Sequence, residues 1–262
     1  MKWIRVRAIA KRHSFALLRA PQRWFDVAIW PCVDAVMFGA IGVYFSRQAG
    51  SETNGVAYLL TGIVLFHVLF QAEVSLATGF MEETWSSNLL NLMTTPLREV
   101  EYVAGVVLFG LVKLVIGVGT VTLVAIGLFA FDVTDLGFAL IPLVLILLLV
   151  GWSLGLIVIG LILRVGEGAE ILAWGLLALI MPLSGVFYPV SALPAALQPI
   201  AKALPTTHVF AAARDVIDGE PLPWEQVGLA AIGTVVLASL AVAYVLAMLR
   251  LFRSRGYISR HV

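Results

Sequence analysis

From Leu136 to Leu163 no residue carries a charge. A helix needs roughly 20 apolar residues to cross a bilayer, so this run alone places the chain in a membrane. Five more apolar runs flank it, at about Val27–Phe45, Val56–Phe80, Val103–Phe131, Ile171–Val190 and Val227–Phe252. The polar residues between them form short islands. With 13% charged residues, against about 25% in soluble domains, no stretch is left over for a soluble domain. The pattern predicts an all-α integral membrane protein with six transmembrane helices. The single cysteine, Cys32, lies in the first run and reads as a small buried hydrophobe.

Residues 1–25 form a separate unit ahead of the single membrane domain, 26–262. They carry Lys2, Arg5, Arg7, Lys11, Arg12, Arg19 and Arg23, with Val6, Ile9, Ala10, His13 and Leu17 between them at helical spacing. That is a basic amphipathic helix suited to a headgroup plane. Trp24 and Trp30 mark the membrane entry, as interfacial aromatics do. No apolar segment of signal-peptide type follows the basic start closely, so no cleavable signal is expected. Six spans put both termini on one side. That side gathers the basic N-terminal segment, Arg98, Arg164 and the tail residues Arg250, Arg253, Arg255 and Arg260, against Arg47, Lys202 and Arg214 opposite. The positive-inside rule then places both termini in the cytoplasm, in a cell (cytoplasmic) membrane.

The island Met81–Glu101 is the most informative polar segment. Met81, Trp85, Leu89, Leu92 and Met93 fall on one helical face, with Glu82 and Glu83 away from it. The glutamates are expected in the first turn of a short separate helix, where carboxylates suit the dipole. Thr94-Thr95-Pro96 ends it. An acidic start on a face rich in arginine suits a protein partner better than anionic lipid, although a helix lying on the bilayer fits the same pattern.

Met181–Gly219 is also mostly apolar, yet Pro182, Pro189, Pro194, Pro199 and Pro205 cut it into pieces too short to span. Broken helices at membrane depth survive only against protein or water. The stretch therefore reads as a gate, lid or lining, facing away from the termini.

Asp34, Glu73 and Lys113 fall inside predicted spans, where ionisable residues face a bundle interior or water. Similar depths suggest that Lys113 pairs with one of the two acids. His67, Gln71, Ser75 and Thr78 make a polar stripe on the second span, able to line a pathway or to hydrogen-bond a neighbouring helix. Gly151 and Gly155 fit a close-packing pattern. No phosphate-binding G-x-x-x-x-G-K-[ST] loop occurs, no His, Cys and acid cluster has metal spacing, and nothing reads as a nucleic-acid module. No catalytic residues and no cofactor of the chain's own are expected. Ser184 with His208 permits an intramembrane serine protease, but Ser184 lacks the Gly-x-Ser-Gly setting. An ion-coupled transporter or channel rests on Asp34, Glu73 and Lys113.

Six spans, the basic N-terminus, the loop EETWSSNLLNLMTTPLRE and the stretch PLSGVFYPVSALPAALQPIAKALPTTHVFAAAR together resemble the type-2 ABC exporter permeases. The resemblance covers nearly the whole layout and is most specific at Glu82–Glu99 and Pro182–Arg214. It implies a homodimer that works with two copies of a separate ATPase subunit, which would bind ATP and Mg. Met81, Glu82, Glu83, Trp85, Leu89, Leu92 and Met93 would form the coupling helix against that ATPase. The Arg164–Glu170 turn would be a second, smaller contact. Pro182, Ser184, Gly185, Phe187, Tyr188, Pro189, Leu193, Pro194, Pro205, Thr207, His208 and Arg214 would form the outer re-entrant gate. Its two short helices would run over Leu193–Ala203 and Thr207–Ile217, the second capped by Thr206 or Thr207 and stopped at Gly219. The implied cargo is a hydrophobic or amphipathic molecule, a drug or lipid, with a lipid-linked polysaccharide as the alternative.

Overall fold

The computed structural model describes residues 2–21, 23–48, 55–85, 95–166, 168 and 170–255, and these contain helices and turns with no strand. Helix α1 (Trp3–Arg19) buries Val6, Ile9, His13 and Leu17 on one face. A turn and one π-helical turn (Phe25–Ile29) lead into α2 (Trp30–Gln48). Then come α3 (Gly55–Trp85), α4 (Glu99–Phe129), α5 (Leu140–Val165) and α6 (Glu170–Leu183). Two short helices, α7 (Gln198–Ala203) and α8 (Pro205–Ile217), precede the long α9 (Trp224–Arg255).

The predicted amphipathic helix does more than float at the surface. Its Ile9 and Val6 seat on Gly105 of α4, where an added Cβ would stand 2.6 Å from Ile9 Cβ and 2.9 Å from the Val6 carbonyl. The other large apolar residues of α1, Trp3, Ile4, Phe15 and Leu18, are exposed. One side of α1 therefore grips the bundle and another is free to face lipid.

Helices α3 and α5 form the centre and α2, α4 and α9 the periphery. In the span windows, 72% of α3 and 67% of α5 is buried, against 17% for α9. The α9 residues Ile232, Val235 and Leu240 are among the large apolar side chains that point outward. Such a surface belongs against lipid rather than water. The two central helices approach through Gly151 and Gly155. A Cβ at Gly151 would lie 2.6 Å from the Leu69 carbonyl, and one at Gly155 would lie 3.0 Å from the Glu73 carbonyl. The glycine pair thus brings two backbones together, as small residues do in lipid.

Among the described residues, five helices are long and apolar enough to cross a membrane. The fifth predicted span, Ile171–Val190, is shorter than expected. The helix there, α6, has 14 residues, about 21 Å at 1.5 Å per residue, against about 30 Å of hydrocarbon. Pro182 sits in its last turn and Gly185 follows at φ +63°. Proline withdraws a donor and glycine takes a left-handed turn, so the helix stops.

The island also differs from its expected boundary. α3 continues unbroken through Trp85, so Glu82 and Glu83 occupy its last turn, not the first turn of a new helix. Leu89, Leu92 and Met93 lie outside the described residues. The predicted caps of α8 divide. Neither Thr206 nor Thr207 is the N-cap; that position is Leu204, with Pro205 opening the helix, where a missing N–H costs nothing. Gly219 is the stop, at φ +86°. Its N–H meets the Val216 carbonyl at 3.1 Å and the Glu220 N–H meets that of Asp215 at 3.0 Å, a Schellman closure.

Candidate functional site

The candidate residues gather at the two ends of α3. The helix has 31 residues, so these ends stand about 46 Å apart.

At the C-terminal end of α3 the acids bind α1. Glu83 is fully buried and meets Arg12 at 2.8 Å, with His13 Nε2 at 3.9 Å. Glu82 meets Arg23 at 2.9 Å and His13 Nδ1 at 3.5 Å. His13 is itself buried and stacks on Phe109 of α4, ring centroids 5.6 Å apart. A third acid fastens the other end of α1. Glu101 accepts from the Lys2 N–H at 2.6 Å and from Arg5 at 3.1 Å, and it caps α4 through the Arg98 N–H at 3.1 Å. Arg5 also donates to the Pro96 carbonyl. The carboxylates expected to face a partner protein are instead occupied by this chain's own basic helix. The reason is electrostatic. Two carboxylates at a helix C-terminus oppose the macrodipole, and desolvated ones need cations. Met81 is buried beside them.

In the middle of α3 the polar stripe turns inward. His67, Gln71 and Ser75 are all at most 3% exposed. Ser75 and Gln71 face α4, where Gly110 lies against Ser75 and Gly117 against Gln71, while His67 turns to Asp34 of α2. Gln71 thus sits at a helix–helix contact, while Ser75 and Thr78 also line a cavity of about 220 Å³ at the α1 end. Thr78 donates to the Val74 carbonyl at 2.6 Å.

Lys113 was expected opposite Asp34 or Glu73. Its register, between Gly110 and Gly117, does set it level with Glu73, but the two stand on different faces of α3. The Glu73 backbone packs on Gly151 and Gly155 of α5, and both its carboxyl oxygens are buried without a hydrogen-bond partner. Lys113 comes from α4 and lines a cavity at the α1 end with Glu82 and His13, an apolar stem carrying its charge toward the polar edge. Asp34 faces His67 at 3.5 Å. Shared depth was readable from residue count; face was not.

At the N-terminal end of α3 the broken stretch folds over the bundle. Gly185 reverses the chain, and a Cβ there would meet the Tyr188 carbonyl at 2.7 Å. Tyr188 OH returns to the Pro182 carbonyl at 2.9 Å. Ser184 is buried and shares a hydrogen bond of 2.5 Å with Thr206. Arg214 donates to the Gly185 carbonyl. Pro189 opens the short turn Val190–Ala192, and Leu193 leaves it extended. Pro194 begins the next turn, with the Leu197 N–H on its carbonyl at 2.8 Å. The first re-entrant helix is accordingly six residues, α7, rather than the whole of Leu193–Ala203. Thr207 donates to the Ala201 carbonyl at 2.6 Å, joining α7 to α8. His208 bridges Gln226 at 2.6 Å and the Lys202 carbonyl at 3.0 Å. With Ser184 on Thr206 and His208 on Gln226, the two do not form a nucleophile–base pair.

This folded stretch rests on α2 and α3. Phe187 stacks on Phe38 of α2 with centroids 4.0 Å apart. The Val186 carbonyl lies against Gly62 of α3 so closely that a Cβ there could not be accommodated. Tyr58 of α3 donates to Asp218 at the end of α8. From sequence, Arg12, His13 and Arg23 belong only to a basic amphipathic helix, and Glu101, Tyr58 and Phe38 carry no assigned role. The alternation of bases in α1 with acids at Glu82, Glu83 and Glu101 was the available signal for the first four.

A family model described as ABC-2 type transporter matches residues 5–217. No curated protein sequence matches the chain.

Proposed function

The chain belongs to the ABC-2 type transporter family, and from that premise we propose that it is the membrane-spanning permease of an ATP-driven exporter. It moves a hydrophobic or amphipathic molecule outward, using a separate ATPase subunit that binds ATP and Mg. Two copies of the chain work with two ATPases. Both termini lie in the cytoplasm, with the stretch that opens with α6 as the fifth of six passages and α7 and α8 as short re-entrant helices at its outer end. The excess of basic residues on the side of α1 supports that orientation.

One observation carries the reading: α3 touches both the α1 end and the folded outer stretch. A continuous helix can transmit displacement along its length. Movement imposed on Met81–Met93 by the ATPase reaches Gly62 and Tyr58 through one rigid element, and those residues support Val186 and Asp218. Trp85, Leu89, Leu92 and Met93 supply the contact with the ATPase. Glu82 and Glu83 act on it indirectly, by fixing α1 beside that contact. The permease then needs two states that bind substrate differently, and no catalysis of its own.

Inside-out vesicles bearing the permease and its ATPase test this. A fluorescent hydrophobic dye should accumulate in them on adding ATP and Mg, and should not with a hydrolysis-dead ATPase. Accumulation driven by a proton gradient without ATP would replace this reading with an ion-coupled transporter.

A further inference from the structure

Asp34 stands on α2 about 10 Å inside the span that begins at Val27. An aspartate side chain is too short to reach the headgroups from there, and an ionisable residue at membrane depth faces protein, water or a charge. Its side chain is 15% exposed, so the protomer leaves it open on one side. On the other side His67 Nε2 stands 3.5 Å away, a charge partner only while His67 is protonated. Neither His67 nitrogen makes a hydrogen bond among the described residues. An ionised carboxylate has about four acceptor sites, and this one contact leaves capacity on the open side.

That side carries an aromatic ring as well. Trp30 lies one helical turn before Asp34 and Ile41 two turns after it, on the same side of α2. Trp30, Ile41 and the adjoining Met37 are exposed. The buried side of α2 is elsewhere, at Ala35, Gly39 and Gly42. A carboxylate beside an indole on an apolar surface suits a cation with hydrocarbon around it. The span helices do not supply that cation. Arg47, Arg164 and Arg250 lie at the ends of their spans, and Lys113 is held at the α1 end with Glu82 and His13. A second copy would bring the same cations in the same places.

We propose that Asp34 and Trp30 bind a cationic amphiphile, an ammonium or similar group carried on an apolar body. The inference rests on the exporter reading and narrows its hydrophobic or amphipathic cargo to positively charged molecules. The Asp34 carboxylate takes the charge, the indole face of Trp30 takes its flank, and Met37 and Ile41 contact the apolar body.

The test uses the full chain in phosphatidylcholine nanodiscs and a diphenylhexatriene dye bearing a trimethylammonium group, which accepts energy from tryptophan. The signal is the transfer lost in Trp30→Phe. That component should saturate with the cationic dye. Tetraphenylphosphonium should displace the dye. Tetraphenylborate, of similar size and opposite charge, should not do so at equal membrane-bound amounts. Asp34→Asn should raise the half-saturation point about tenfold, the scale of one charge-assisted contact, and Asp34→Glu should retain the preference for the cation. Transfer that never saturates, or displacement alike by the two ions, overturns the proposal without recourse to any Asp34 variant. An Asp34→Asn chain that keeps its cation affinity and loses its dimer would place Asp34 at a contact between copies and overturn the cargo site. Binding is read without ATP or an ATPase. The exporter reading therefore fails separately, when the parent with its ATPase accumulates no dye on ATP in inside-out vesicles.

Discussion

Glu83→Lys is expected to release α1 from the bundle. The native carboxylate has no solvent exposure and rests 2.8 Å from Arg12, whose side chain is 46% exposed. Placing a carboxylate in the last turn of α3 already runs against the helix dipole, so its position depends on Arg12 and His13. The reversed charge would be buried beside Arg12. Breaking a buried pair from one side costs about 3–5 kcal/mol, and the wet side of Arg12 argues for the lower figure. At about 3 kcal/mol the docking equilibrium moves by roughly a hundredfold. Trypsin should then cut after Arg5, Arg7, Lys11 or Arg12 far faster than in the parent, while the helical signal of the rest persists. Arg12→Glu combined with Glu83→Lys should slow the cutting again. Equal cleavage of parent and single variant would show that the pair does not hold α1.

Gly151→Leu should prevent the central helices from meeting. Even a Cβ would lie 2.6 Å from both the Leu69 carbonyl and the Ala72 Cβ, and one of these is backbone that cannot swing aside. A leucine adds three more carbons. Overpacking a core typically costs about 1–3 kcal/mol, and more where nothing yields. At about 3 kcal/mol the melting point in detergent should fall by roughly 10 °C, and yield should fall with it. Gly127→Leu is the control, because nothing lies within 4 Å of its Cβ. It should melt with the parent or slightly above, since glycine is a poor helix former. If both variants melt alike, α3 and α5 are not packed through Gly151.

These two sites show how far the sequence could be read. Long uncharged runs predict membrane helices because burial of backbone polarity in lipid permits little else, and the helices lie where the runs are. Gly151 and Gly155 advertised a close approach, but not which helix approaches. Pro182 and Gly185 announced a break, yet the end of α6 at Leu183 follows from where the proline falls in the last turn. The misplacement of Lys113 has the same origin. Residue count gives depth along a helix, whereas the face presented depends on how neighbours pack. The ion pairs of α1 escaped notice because they join residues about 70 to 100 positions apart in sequence, and no local periodicity reports such a pairing. The partner-facing expectation for Glu82 and Glu83 follows from assigning them to a new helix rather than to the end of an old one.

The central claim is that an ATPase drives this chain through the segment after α3. The most direct measurement is to purify the tagged permease in mild detergent and assay ATP hydrolysis on what accompanies it, for the parent and for Trp85→Ala/Leu89→Ala. The account predicts an ATP-binding chain in equal amount with the parent, and loss of both that chain and the hydrolysis in the double variant, with the permease still folded. A permease that purifies alone, or a double variant that keeps its ATPase, would contradict it.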